Sequence, residues 1–302
     1  MRWPKKVAAW FGVSLALAAA APAAEVEGAQ ELSGTLKKVH ASGVVAIGYR
    51  ESSVPFSFLS PRGDPVGYSI DLGQAIVDAI GNELDDQAVK IKFVPVTSET
   101  RIPAVLCGDI DLECGSTTNN AQRQTQVAFS PVMFVAGTKL LVKSGSPIAS
   151  FRDLGGKTVV VTAGTTNEQV MHQIMDQFRV DCRLVVGKDH ADSYDQLAAG
   201  RVDAFAGDDV LLYGLVAEHK AKSAFSVVGE FLSYEPYGIM FRKDDAQLAA
   251  VVDRVFREMA QSRDLEYTYE RWFVNKLPGG DSLDLPMSTQ LREIFRALGA
   301  PD

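Results

Sequence analysis

The sequence predicts an α/β fold of two lobes, each a largely parallel sheet covered by helices. Three observations predict it. Strand-like and helix-like segments alternate between residues 44 and 114, the alternation restarts near residue 151, and 302 residues at 46% hydrophobic content suffice for more than one core. Alternation of this kind argues for parallel strands joined through helices.

Folded structure is expected to start near Leu36, after a polar lead over residues 25–35 that lacks periodicity. Val44 to Arg50 (VVAIGYR) is β-branched and apolar, a strand. Tyr68 to Gly81 spaces Ile70, Leu72, Ile76, Val77 and Ile80 along one helical face and closes on glycine. Lys90 to Val96 reads as the next strand. Thr100 is positioned to cap the helix that follows, leaving Pro103 in its first turn, where a missing N–H costs nothing. Leu112 to Cys114 closes the first set. In the second set Thr158 to Thr162 (TVVVT) is a strand, Thr165-x-x-Glu168 a capping box, and Val170, Ile174, Met175 and Phe178 a buried helical stripe.

Two apolar stretches, Val135 to Val142 and Tyr237 to Phe241, bracket the second set and read as strands crossing between lobes. Leu248 to Met259 and Tyr267 to Trp272 then read as helices on the first lobe, residues 278–286 as loop, with a short helix after Thr289. The predicted division is residues 1–24 as a signal peptide, 25–140 and 241–302 as lobe 1, and 141–240 as lobe 2. The run from Cys107 to Leu112 (CGDIDL) also echoes that from Ala199 to Ala204 (AGRVDA), which would make Ser116 and Asp208 equivalent strand tips. A helix–glycine–strand turn is common, so the echo fits either duplication or chance.

The compartment is read from the first residues. Arg2, Lys5 and Lys6 precede an apolar run from Val7 to Ala21, and Ala21-Pro22-Ala23 offers the small residues a signal peptidase reads. A membrane anchor would need about 20 apolar residues, and no cysteine near the cleavage region invites a lipid. Loss of the three leading cations takes the formal charge from −8 to −11, which argues against nucleic acid or an anionic membrane surface as partner. Three cysteines are too few for a stapled scaffold, so burial supplies the stability. Cys107 and Cys114 could pair, yet their spacing does not fix the distance, and free buried thiols are expected.

Ligand sites in open α/β sheets form at the carboxyl ends of strands. In the first half those loops run from Arg50 to Phe56, Thr97 to Arg101 and Gly115 to Arg123, each holding an arginine and hydroxyls. In the second they run from Thr162 to Thr166, Asp189 to His190 and Gly207 to Asp209, with an acid and an imidazole. A guanidinium grips a carboxylate through two parallel bonds, each worth roughly 1.5–3 kcal/mol net. Arg50, Arg101 and Arg123 therefore imply more than one carboxylate, the free amides at Thr165 and Thr166 would favour an anion, and Asp208 would pair with an ammonium. Taken singly, an arginine reads as a solvated surface residue, His190 as surface or hinge, Thr165 as a cap, and Asp208 and Asp209 as an exposed turn. Phe56 and Phe58 read as core or as an apolar wall over the ligand.

Signals for chemistry are sparse. The sequence has no Gly-rich phosphate loop, no metal-spaced His/Cys cluster and no G-x-S-x-G motif, and His40, His172, His190 and His219 are scattered. No catalytic residue, metal or cofactor is expected.

Six stretches carry a resemblance: GYRESSVPFS (48–57), TSETRIP (97–103), ECGSTTNNAQRQ (113–124), VVVTAGTTNE (159–168), GKDHADS (187–193) and AGDDVLL (206–212). In this order they make the chain similar to the periplasmic amino acid-binding proteins of ABC importers, above all those taking acidic amino acids. The resemblance implies a type II periplasmic binding protein fold, its ligand cleft between lobes joined by a two-strand hinge. It further implies a periplasmic monomer that closes over L-glutamate or L-aspartate and docks on an ABC permease in the inner membrane. Carried over by position, Arg123 with Ser116 and Thr118 holds the α-carboxylate end, Asp208 the ammonium, and Thr166 adds a contact from lobe 2. Arg50, Ser98, Arg101 and His190 hold the side-chain carboxylate. Ala163 in place of serine, Tyr49 in place of histidine and Gly207 in place of a bulkier residue depart from the family pattern and leave glutamate versus aspartate open. Rival readings are a dehydratase-like enzyme with Glu99 or Asp209 as acid/base group, a sensor domain, and a chemoreceptor adaptor.

Overall fold

In a computed structural model that describes residues 1, 2, 4 and 31–301, the chain builds one sheet, crosses to a second and returns. The leader expected over residues 1–24 falls, except at residues 1, 2 and 4, outside the described residues. Helix α1 (Gly34–Ser42) buries Leu36 and Val39 and stops at Gly43, whose φ of 67° turns the chain into β1 (Val44–Tyr49). A small antiparallel ribbon follows, of β2 (Ser52–Ser53), β3 (Ser57–Leu59) and β4 (Pro65–Val66). Then come α2 (Tyr68–Glu83), β5 (Lys90–Pro95), α3 (Arg101–Cys107), β6 (Leu112–Glu113), the single turn α4 (Ala121–Gln124) and β7 (Val127–Phe129). Helix α2 is held by the apolar face its spacing predicts, with Leu72, Ile76 and Ile80 fully buried. Each such side chain contributes roughly 1.5–3 kcal/mol.

The passage to the second sheet uses β8 (Phe134–Ala136) and β9 (Thr138–Lys143). The second set comprises β10 (Thr158–Thr162), α5 (Thr166–Phe178), β11 (Arg183–Gly187), α6 (His190–Ala198), β12 (Ala204–Asp208), α7 (Asp209–Glu218) and β13 (Phe225–Val228). The return uses β14 (Glu235–Tyr237) and β15 (Met240–Arg242), and α8 (Ala246–Gln261), α9 (Asp264–Tyr269) and α10 (Thr289–Leu298) pack on the first sheet side.

The two sheets share one design. The first has the order β5-β1-β6-β15-β7 and the second β11-β10-β12-β9-β13. In each, the first three strands are parallel and the fourth runs antiparallel to its neighbours on both sides. The antiparallel strands β9 and β15 arrive from the other lobe, which is why neither sheet is wholly parallel. The predicted crossing strands are each two strands, broken at Gly137 and Gly238, and the passage itself is the antiparallel pair β8/β14. Gly137 is required there, since a Cβ would overlap the Ser233 carbonyl oxygen. Leu140 already lies within the second sheet, so the crossings fall at 134–138 and 235–239.

Helix α7 sits between the lobes. Val210, Leu211 and Ala217 belong to the core of the first, and Leu212, Leu215 and Val216 to the core of the second, which accounts for a helix apolar on every side. A loop from the first lobe also reaches this helix, the Asp281 N–H donating to the Ala217 carbonyl at 2.9 Å.

Four local expectations are corrected. Thr100 is already helical, at φ −90° and ψ −19°, and does not cap α3. The Thr97 hydroxyl accepts the Thr100 N–H at 3.2 Å instead, while the Thr97 N–H donates to the Thr100 hydroxyl at 2.8 Å. Thr165 does cap α5, yet Glu168 accepts the Gly164 N–H at 3.2 Å, one residue beyond the Thr165 N–H that a reciprocal box needs. Of the expected stripe of α5, Ile174 is buried and Val170 and Met175 pack against the same core, but Phe178 is 48% exposed at the helix end, and the buried positions also include Asn167 and Met171. All three cysteines are free, but Cys107 is exposed at the outer end of α3. Phe56 and Phe58 are both core: Phe56 lies 5.1 Å from the Phe134 and Tyr237 rings and Phe58 stands edge-on to Trp272.

Candidate functional site

Arg50 leaves the tip of β1 and is 1% exposed. Its loop is pinned by Ser57, whose hydroxyl accepts the Arg50 N–H at 2.8 Å and donates to the Arg50 carbonyl at 3.2 Å. Neither terminal nitrogen of its guanidinium has a hydrogen-bond partner. Burial, then the neighbouring Arg101, works against its charge, while Glu113 and Asp189 favour it.

Arg101 opens α3 and is 2% exposed. Its Nη1 donates to the Thr117 hydroxyl at 2.6 Å and to the Ser116 carbonyl at 3.4 Å, while Nε is buried and unpaired. Arg123 sits on α4, whose start is fixed by Asn120 accepting the Arg123 N–H at 2.9 Å; its Nη1 donates to the Thr118 carbonyl at 3.0 Å. Thr118 bridges to Tyr237 of β14, which ties this loop to the strand pair between the sheets. The hydroxyls of Ser98 and Ser116 are buried without partners.

From the second lobe, His190 opens α6 behind the Asp189 cap, which accepts the Asp192 N–H at 2.8 Å. Its Nδ1 lies 3.1 Å from the Thr162 hydroxyl. Burial and the two cations Arg50 and Arg101 hold its pKa well below the usual value, so the imidazole is neutral. The Thr166 hydroxyl donates to Glu235 at 2.8 Å. Asp208, at the tip of β12, accepts from Asn167 Nδ2 at 2.7 Å and from the Tyr237 hydroxyl. Burial first, and Glu235 second, push its carboxyl up to about 7.

Of the predicted residues, all but Arg50 and Arg123 line one cavity of about 10 Å3, which Thr165, Asn167 and Leu211 complete. That is about the room a single water needs, far below the ~300–1,000 Å3 of pockets for drug-sized ligands, so an amino acid enters only if the walls move apart. Arg50 and Arg123 stand just behind the wall, within electrostatic reach of Arg101 and Glu113. The lining carries both signs: guanidinium, hydroxyl and imidazole groups from Arg101, Ser98, Ser116, Thr118, Thr166 and His190, and the Asp208 carboxylate. A larger surface hollow, beside Lys38 and Asp111, is taken up by structural bonds: Lys38 Nζ meets Asp111 at 2.8 Å, and Asp245 accepts from the Thr35 N–H at 2.8 Å.

Sequence reading missed Glu113, Thr117, Asn167, Glu235 and Tyr237. Glu113 is fully buried, and a carboxylate inside an apolar strand was the signal that could have found it. Among the described residues no group of three or more His, Cys, Asp or Glu is placed to hold a metal ion, and no helix is long and apolar enough to cross a membrane. Glu99 is exposed, and Asp209 accepts the Gly137 N–H at 3.3 Å.

Comparison with known proteins adds three findings. The sequence profile of the bacterial extracellular solute-binding proteins, family 3, matches residues 45–275. The glutamate/aspartate import solute-binding protein of Escherichia coli is 40% identical over 284 residues, 93% of this chain and 94% of its own, and the L-glutamate/L-aspartate-binding protein of Pseudomonas aeruginosa is 42% identical over 285 residues, 94% of each. The solved structure of holo ArgBP from T. maritima superposes with a TM-score of 0.66 at 28% identity, covering 78% of this chain and 98% of that one.

Proposed function

The chain belongs to the bacterial extracellular solute-binding proteins of family 3, and from that membership we propose that it captures L-glutamate or L-aspartate and delivers it to an ABC importer. One observation carries the choice of an acidic ligand. The Arg50 guanidinium is buried with both terminal nitrogens unpaired and within electrostatic reach of Arg101, whose Nε is likewise buried and unpaired, as is the Ser98 hydroxyl on the same cavity wall as Arg101. Each such buried donor costs about 1–3 kcal/mol left alone, and a side-chain carboxylate between them would satisfy several at once.

In this reading Arg50, Ser98, Arg101 and His190 take the side-chain carboxylate. Arg123, Ser116 and Thr118 take the α-carboxylate end, Asp208 takes the ammonium, and Thr166 contributes from the second lobe. A neutral His190 offers one N–H without adding a charge. The lobes, divided at the crossings over residues 134–138 and 235–239, close over the ligand by bending at the β8/β14 pair. A signal peptide over residues 1–24 sends the chain to the periplasm, where a monomer docks on an inner-membrane permease. A binding role is favoured over a dehydratase-like enzyme because the relatives at 40% and 42% identity are an import solute-binding protein and an amino acid-binding protein, while neither Glu99 nor Asp209 lines the cavity.

Calorimetry with L-glutamate, L-aspartate, L-glutamine and L-arginine tests the reading. Tight binding of the first two is expected, and comparable binding of the neutral or basic amino acid refutes it.

A further inference from the structure

Between Arg101 and Glu113 stands one hydroxyl. Thr117 Oγ1 accepts from Arg101 Nη1 at 2.6 Å and donates its single proton to Glu113 Oε2 at 2.5 Å. Both charges are buried, at 2% and 0% exposure. The second carboxylate oxygen, Oε1, has no hydrogen-bond partner, and it lies against Gly115, where any Cβ would overlap it. A buried guanidinium and carboxylate this near would gain most by meeting directly in a two-pronged pair. The hydroxyl keeps them from doing so.

We infer that Thr117 is a spacer: its hydroxyl holds Arg101 and Glu113 apart, so that Arg101 keeps its place at the cavity wall and enough unneutralised charge to select a ligand carboxylate. This rests on the acidic-ligand reading above and adds to it a positioning residue that touches no ligand. Glu113 supplies a countercharge that both Arg50 and Arg101 feel, and Thr117 sets how closely Arg101 approaches it. Without the hydroxyl, Nη1 keeps only the long 3.4 Å bond to the Ser116 carbonyl and Oε2 loses its donor in a dry site. The two groups then close on each other, and the guanidinium withdraws toward β6.

The test uses the mature protein and calorimetry with L-glutamate and L-glutamine, which share a shape and differ in side-chain charge. Thr117→Val is expected to lower L-glutamate affinity by about tenfold while L-glutamine affinity changes by less than about threefold. Thr117→Ser, which keeps the hydroxyl, retains the parent's preference. Adding Glu113→Gln to Thr117→Val removes the charge onto which Arg101 would collapse, and restores most of the lost L-glutamate affinity. Thr117→Ala, free of any added bulk, repeats the comparison should the valine disturb folding. The spacer is overturned if Thr117→Val binds both ligands as the parent does, loses both equally, or is not rescued by Glu113→Gln. A parent protein that does not prefer L-glutamate to L-glutamine overturns the acidic-ligand reading itself, an outcome visible before any variant is made.

Discussion

The Tyr237 hydroxyl donates to the Asp208 carboxylate, so the side chain proposed to meet the ligand's ammonium is tethered to a strand of the pair that links the two sheets. Asn167 donates to the other oxygen at 2.7 Å. Both bonds favour the ionised carboxylate against burial and the nearby Glu235, which together push its pKa to about 7. Tyr237→Phe removes one of them and is expected to raise that pKa further. L-glutamate affinity should then fall by about tenfold at pH 7 and by less at pH 8.5, where ionisation recovers. Calorimetry at both pH values checks this, and an equal loss at both contradicts it.

The same group makes stability depend on pH. Because the folded pKa of about 7 exceeds the roughly 3.9 of an unfolded aspartate, the folded chain keeps a proton between those values that the unfolded chain has lost. Stability tied to Asp208 is therefore fully present below about pH 4 and is lost as pH rises through 7, by on the order of 4 kcal/mol at most. Asp208→Asn should be more stable than the parent at pH 8 without ligand, and the gain should shrink toward pH 4. Urea unfolding at the two pH values measures it; a gain that does not vary with pH rules the mechanism out.

The arginines divide the ligand between them. Arg50→Ala and Arg101→Ala are expected to lose acidic amino acids selectively, by roughly 10- to 100-fold for one or two lost charge-assisted bonds. Arg123→Ala should weaken every amino acid, since it serves the end all of them share. Identical losses from all three variants would remove the division of roles.

Gly214 of α7 backs so closely onto the turn after β2 that a Cβ would overlap the Val54 carbonyl oxygen. Gly214→Ala should leave each sheet folded and prevent the lobes from meeting fully. L-glutamate affinity is expected to drop by about tenfold or more, and small-angle scattering should show no contraction on adding ligand. Parent-like contraction would show that the close approach can be relieved locally.

Much of this was legible before any coordinates. The stripe Leu72, Ile76 and Ile80, the strand TVVVT and the arginines at three strand tips are local patterns, and each depends on residues within one turn or one strand. Thr100 and Phe178 depart from the sequence reading because a hydroxyl three residues upstream competes for the cap, and because Phe178 ends α5, where the helix leaves the core and its ring meets Phe151. The crossing strands were found as apolar runs, but periodicity carries no sign of direction. That β9 and β15 run antiparallel to their neighbours follows from the side on which the chain enters each sheet.

By itself the sequence determined two α/β halves of matching design and a set of charged and hydroxyl residues at their strand tips, because period and turn chemistry act over a few residues. Only the tertiary structure decided which of those groups share a cavity, that Arg50 is buried with no partner, and that Glu113, Thr117 and Tyr237 stand behind the residues in front. The physical reason is desolvation. Whether a charge is exposed, paired or held at bay depends on neighbours far along the chain, and those neighbours are assembled only when helices and sheets pack.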